Sequence, residues 1–169
     1  TLHADHELNA SAFSARVTSS TLSGIYSSVM AAIGTLKGPL HGGANEQVAR
    51  MLLEIKSPDR LEAWLEAALA SGEKIMGFGH RVYKEGDPRA KILKAMSREI
   101  TREVGHPEMY EMSARLEELM GQRKGLICNV DFYSASVYHS MGIPIDLFTP
   151  VFATSRVAGW CAHVLEQYQ

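Results

Sequence analysis

The sequence predicts an all-α fold, and three observations carry that reading. Apolar residues recur at helical spacing along most of the chain. Pro and Gly fall between those segments as starts and stops. No stretch alternates apolar and polar residues as a hairpin does, and no repeat or low-complexity tract is seen. A chain of 169 residues that is 46% hydrophobic and 21% charged can bury a sizeable core. No apolar run approaches the roughly 20 residues of a membrane span. No basic and apolar opening marks a secretory signal, so a cytoplasmic location is expected. A net charge of −2 gives no global attraction to nucleic acid or membrane, and neither is expected as a partner. Cys128 and Cys161 have no metal or redox spacing and are expected to be reduced, buried small hydrophobes.

The elements follow in order. Ser11 to Leu36 reads as one helix or two broken helices, because Leu22, Ile25, Tyr26, Val29, Met30 and Ile33 keep helical spacing. Gly43 to Ile55 is helical, with Val48, Met51, Leu52 and Ile55 on one face. Ser57-Pro58 caps a helix carrying Leu61, Trp64, Leu65, Ala68 and Leu69, which stops at Gly72. Asp87-Pro88 starts a helix to Val104, with Ile92, Leu93, Met96 and Ile100 as its inner side. Gly105 and Pro107 precede a polar helix to about Met120, and 122–125 is a turn. Leu126 to Val130 is strand-like or an extended connector. Phe132 to Met141 is helical, Gly142 to Phe148 is a loop, and Thr149-Pro150 caps and starts a last helix to about Gln167.

The chemistry sits between these elements. In Gly77-Phe78-Gly79-His80 a histidine follows glycines that let backbone approach a ligand closely, and Arg81, Lys84 and Arg89 come next. With the helix start at Asp87-Pro88 this suits an anionic ligand beside one titratable ring. Gly38-Pro39-Leu40-His41-Gly42-Gly43-Ala44-Asn45-Glu46 repeats the pattern of His beside Gly. Leu126-Ile127-Cys128-Asn129-Val130-Asp131 ends an apolar run on a carboxylate, where desolvation raises proton affinity. Asp131 could equally cap the following helix, and both roles can hold at once. The opening segment holds His3, Asp5, His6 and Glu7 within five residues. A metal shared by His3 and His6 on one helix face is a possible reading, but no further ligand cluster accompanies it and no metal is expected. His106, His139 and His163 are singletons, read as surface or structural residues.

GPLHGGANE, GFGHRVYKEGDPR and NVDFYS, in this order behind the HADHE segment, resemble the citrate synthase family over nearly the whole chain. The resemblance implies a multi-helical citrate synthase-like fold, truncated at both ends. It divides the chain into large-domain helices over 1–36, a small, mobile, substrate-closing domain over 37–133, and a return to large-domain helices over 134–169. It implies an acyltransferase of the EC 2.3.3 type that condenses acetyl-CoA with oxaloacetate to citrate and CoA in the tricarboxylic acid cycle. Acetyl-CoA is a substrate, and no cofactor is implied. Asp131 is assigned as the base on the thioester methyl group, His41 as donor to the thioester oxygen, and His80 as partner of the ketone. His6, Arg89 and Arg156 are placed on the oxaloacetate carboxylates, which guanidinium forks suit. Arg81, Lys84 and Lys124 are placed on CoA by residue type.

The family resemblance also implies a homodimer and an arginine supplied by a partner subunit, from a segment beyond Gln169. Members are about two and a half times this length, so a stand-alone activity of these 169 residues is not expected. Exposed apolar faces on 11–36 and 150–167 are expected instead. A 2-methylcitrate synthase, a citryl-CoA lyase and a non-catalytic helical fragment that mediates assembly are the alternatives.

Overall fold

The computed structural model describes residues 1–80 and 86–169. Among them every extended element is helical: α1 (Ala10–Ser19), α2 (Ile25–Leu36), α3 (Ala44–Ile55), α4 (Pro58–Ser71), α5 (Pro88–Glu103), α6 (Pro107–Lys124), α7 (Val130–Ser140), a 3₁₀ turn (Ile145–Leu147) and α8 (Phe148–Gln167). The chain forms two compact units. The first comprises 1–43 and 146–169, the second 44–145.

In the first unit the serine-rich stretch is two helices. α1 begins where the Asn9 side chain accepts the amides of Ser11 and Ala12. α2 begins after Gly24, whose φ of 90° favours glycine. Small residues let α1, α2 and α8 pack closely: Ala12, Ala15 and Ala32 are buried with Leu36, Phe152, Trp160 and Val164. The outward faces of α1 and α2 expose Phe13, Val17, Tyr26, Met30 and Ile33, as expected; on α8 the large exposed apolar residue is Leu165. α8 starts at Phe148 without a side-chain cap. Thr149 is therefore not its N-cap; its hydroxyl donates to the Gly42 carbonyl at 3.2 Å.

In the second unit α3 and α5 pack on α7, and α6 on α4 and α5. The anticipated faces of α3 and α4 are buried at Val48, Leu52, Ile55, Leu61 and Leu65. Gly72 and Gly125 end α4 and α6 in the left-handed conformation. α6 therefore runs through the turn expected over 122–125. The inner side of α5 differs from the sequence reading. Ile92 and Met96 are exposed, and the buried residues are Ala90, Leu93, Ser97 and Thr101. Small side chains bring α5 close to α7, and the Ser97 and Ser136 hydroxyls bond at 2.7 Å in the core. The stretch before α7 is an extended connector with one antiparallel bridge, Phe78 to Cys128.

Candidate active site

In the second unit the His80 and Asp131 blocks are joined through the backbone. The Gly79 amide donates to the Ile127 carbonyl at 2.8 Å, and the Asn129 amide to the Gly77 carbonyl at 2.9 Å. The Asn129 side chain donates to the Gly79 carbonyl and accepts the Asp131 amide, each at 3.0 Å. Asn129, not Asp131, is thus the N-cap of α7, and Asp131 lies in its first turn. Gly77 has φ 84°, and a Cβ there would come within 2.8 Å of Phe132 and Val48. Only glycine lets the connector lie so close to α3 and α7.

Asp87 locks the two blocks together. It is buried and caps α5, accepting the Arg89 amide. Its carboxylate also holds the Arg89 guanidinium as a fork, Nε to Oδ1 at 2.9 Å and Nη2 to Oδ2 at 2.8 Å. Oδ2 further accepts the Val130 amide at 3.0 Å, across 43 residues of sequence. Burial pushes the Asp87 carboxyl up, but the bonds and charge of Arg89 outweigh it and hold it below the usual range. One carboxylate therefore sets both the Arg89 side chain and the start of the helix carrying Asp131. Asp131 lies near Tyr138, whose phenol is pushed up to about 12 by burial and by the Asp131 charge.

The first unit gathers His41, Arg156 and the opening segment around Phe152. Residues 1–9 form turns and bends, so His3 and His6 do not share a helix face. Three ties from α8 hold them. Arg156, itself buried, donates from Nε to the His3 carbonyl at 2.5 Å. The Gly159 amide donates to the Ala4 carbonyl at 3.1 Å. His163 Nε2 bonds Asp5 at 3.0 Å, so it is a paired residue. A Cβ at Gly159 would come within 2.4 Å of the Ala4 carbonyl. The Phe152 ring meets His3 at 4.3 Å and the Arg156 guanidinium at 4.8 Å. His6, half-buried, lies on this same clamped segment.

His41 sits in the tight turn after α2, its amide bonded to the Gly38 carbonyl. Gly42 is pressed against Leu36, where a Cβ would fall at 2.5 Å. The Ser11 backbone N–H donates to His41 Nε2 at 3.3 Å, and the Ser11 hydroxyl lies 2.8 Å from the same atom. The backbone N–H can only donate, and it alone assigns Nε2 as the acceptor and the proton of the neutral ring to Nδ1. Burial and the charge of Arg156 lower the His41 pKa to about 4, so the ring is neutral at pH 7. The Ser11 hydroxyl is oriented in turn by Asn9 at 2.7 Å and by the Trp160 indole N–H at 3.0 Å.

Of the residues singled out from the sequence, His80, Arg89 and Asp131 are brought together in one unit, and His6, His41 and Arg156 in the other. Lys124 is an exposed residue at the C-terminus of α6. Arg81 and Lys84 lie outside the described residues. The cysteines are free; Cys128 is buried and Cys161 half-buried. The sequence reading misses Ser11, Asn129 and the wider role of Asp87. The first two have ordinary helix-start residue types, a local signal that could have found them. The reach of Asp87 to Val130 leaves no mark in sequence.

The family model described as citrate synthase, C-terminal domain, matches residues 1–169. Citrate synthase 2 of Bacillus subtilis is 64% identical over 167 residues, covering 99% of this chain and 45% of that protein. A 2-methylcitrate synthase of Shewanella oneidensis is 50% identical over 166 residues, covering 98% of this chain and 44% of that protein. Among solved structures, a ternary complex of citrate synthase from Thermoplasma acidophilum with carboxymethyl coenzyme A and oxaloacetate superposes with a TM-score of 0.92 at 43% identity. That match covers 99% of this chain and 46% of the other. The chain thus spans under half the length of each of these three proteins. Motifs, helical architecture and similarity over its whole length agree that the chain belongs to the citrate synthase family.

Proposed function

We propose that the intact protein condenses acetyl-CoA with oxaloacetate to give citrate and CoA, without a metal or other cofactor. The observation that carries this reading is the state of His41. Its Nε2 is occupied by Ser11, so a neutral ring presents an Nδ1–H donor. Such a donor suits the oxygen of a thioester as it becomes an enol, without supplying a formal positive charge.

In this reading Asp131 removes a proton from the thioester methyl group while His41 donates to the thioester oxygen. His80 polarises the oxaloacetate ketone; as the enol carbon bonds to the ketone carbon, the C=O π bond opens and its oxygen takes up a proton to become the product hydroxyl. Water then cleaves the thioester, releasing CoA. His6, Arg89 and Arg156 hold the two carboxylates of oxaloacetate. Arg81, Lys84 and Lys124 neutralise CoA phosphates. Residues 37–133 are the small, substrate-closing domain, and 1–36 and 134–169 belong to the large one. The protein acts as a homodimer in the cytoplasm, in the tricarboxylic acid cycle.

A second reading, 2-methylcitrate synthesis from propionyl-CoA, is favoured by the 50% identity to the Shewanella enzyme. One methylene is worth about 1–3 kcal/mol in a pocket, so the two activities are separated by substrate comparison. Thiol release by the intact protein is measured with oxaloacetate and each acyl-CoA, for wild type and Asp131→Ala. We expect a higher kcat/KM with acetyl-CoA. The Asp131→Ala variant should lose far more kcat than oxaloacetate affinity, because the base acts on the other substrate. A preference for propionyl-CoA selects the second reading. No thiol release with either, or near-normal turnover by the variant, refutes the mechanism.

A further inference from the structure

Glu117, on α6, stands in none of the roles above. Its half-buried carboxylate gathers three donors from elsewhere in the second unit. The Tyr133 hydroxyl donates to Oε2 at 2.5 Å, and the Cys128 thiol to Oε1 at 3.2 Å. The Lys94 ammonium, from α5, meets Oε2 at 2.5 Å. The positions of the first two matter. Cys128 precedes Asp131 by three residues and Tyr133 follows it by two. Tyr133 is fully buried, with its ring against Phe132 at 5.1 Å.

We propose that Glu117 is a positioning residue for Asp131, gripping the chain on both sides of the first turn of α7 and setting where that carboxylate points. The inference rests on the reading of Asp131 as the base. The chemistry of the cluster is consistent with a permanent clamp. Burial pushes Glu117 up, but its bonds to Lys94, Tyr133 and Cys128 hold it below the usual range. Lys94 is lowered by burial and raised more by Glu117, so the pair is ionised at neutral pH. Burial first, then Glu117, raises both the Cys128 thiol and the Tyr133 phenol, so both stay protonated and keep donating. The grip extends to Arg89 as well. Lys94 lies on α5, whose first turn holds Arg89, and the Ser97–Ser136 bond ties that helix to α7 further along.

The test compares Glu117→Gln and Tyr133→Phe in the intact protein, with thiol release per folded protein and calorimetric oxaloacetate affinity as readouts. Gln puts an amide N–H against donors and removes the charge facing Lys94. Phe keeps the core ring and deletes a single bond. We expect kcat to fall about tenfold for Glu117→Gln, and by a smaller factor for Tyr133→Phe, since sub-ångström misplacement of a reacting group costs of that order. Oxaloacetate affinity should stay within about twofold, because Asp131 acts on the other substrate. The acid limb of the kcat/KM profile for acetyl-CoA should shift, because the surroundings of the base have changed. If Glu117→Gln does not fold, Tyr133→Phe decides alone. Unchanged kcat in the folded variants overturns the proposal. So does a parallel loss of kcat and oxaloacetate affinity, which marks general loosening. A wild-type protein inactive with both acetyl-CoA and propionyl-CoA sinks the parent reading, and this inference with it.

Discussion

Asp87→Asn is the sharpest single probe of how the second unit is built. The Asp87 side chain has no exposed surface and that of Arg89 is 12% exposed. Four donors converge on the carboxylate: the Arg89 amide, Nε and Nη2, and the Val130 amide. An asparagine has one acceptor oxygen. With that oxygen at Oδ1, the Arg89 amide and Nε keep their partner, while Nη2 and the Val130 amide face an NH₂ group. The flipped amide strands the other two. Each stranded buried donor costs about 1–3 kcal/mol, and Arg89 also loses its counter-charge. Breaking a buried pair by removing one partner costs about 3–5 kcal/mol, which agrees with that count. We therefore expect a loss of roughly 3–5 kcal/mol, or about a hundred- to several-thousand-fold in the unfolding equilibrium of this unit.

Hydrogen exchange and urea unfolding of the intact protein measure it. The Arg89 and Val130 amides should lose protection, while the Ser11 and Ala12 amides at the α1 cap keep theirs. The pH arm follows from the depressed Asp87 pKa. The unfolded carboxyl titrates near about 4, above the folded value, so the unfolded chain holds the proton more tightly in that window. The stabilisation is fully present above the unfolded pKa and is lost as pH falls through the folded one. The wild-type advantage over Asn should therefore be complete at neutral pH and narrow below about pH 4. A loss under about 1 kcal/mol at pH 7, or a gap that does not narrow in acid, would refute the reasoning.

Two further outcomes are expected. Arg89→Leu should weaken oxaloacetate binding by about 2–3 kcal/mol, as loss of a charge-assisted bond in a desolvated site implies; unchanged affinity by calorimetry would mean that Arg89 serves the fold alone. His41 should titrate near pH 4 by NMR, since burial and Arg156 disfavour its charged form. Its folded pKa lies below the unfolded value near 6.5, so its contribution to stability is complete above about pH 6.5 and is lost as pH falls towards 4. A midpoint near 6.5 would show that the ring is solvated and that the Ser11 bonds do not form in solution.

Much of the fold was legible in local pattern. Helical spacing marks α3 and α4, Pro58 and Gly72 mark the limits of α4, and Pro88 marks the start of α5, because propensity and capping act within one turn of chain. The chemically distinctive side chains, His41, His80, Arg89 and Asp131, were legible too. Each stands beside a glycine or helix-start signal whose purpose is stereochemical and local. The inner face of α5 was not. Both the Ile92–Met96 stripe and the Ala90–Leu93–Ser97–Thr101 stripe have helical period, and periodicity alone cannot choose between them. Larger apolar residues made the wrong stripe look like the core.

The sequence by itself determined where helices start, where glycine is obligatory, and which residues bring acid, base and guanidinium chemistry, since all of these depend on near neighbours. Tertiary structure alone decided what those residues touch. Asp87 reaches Val130, Ser11 sets the His41 tautomer from 30 residues away, and Arg156 holds the His3 carbonyl from 153. A hydrogen bond between distant segments depends on how the helices between them pack. That packing is a collective result of side-chain volume and burial, and no single residue type announces it.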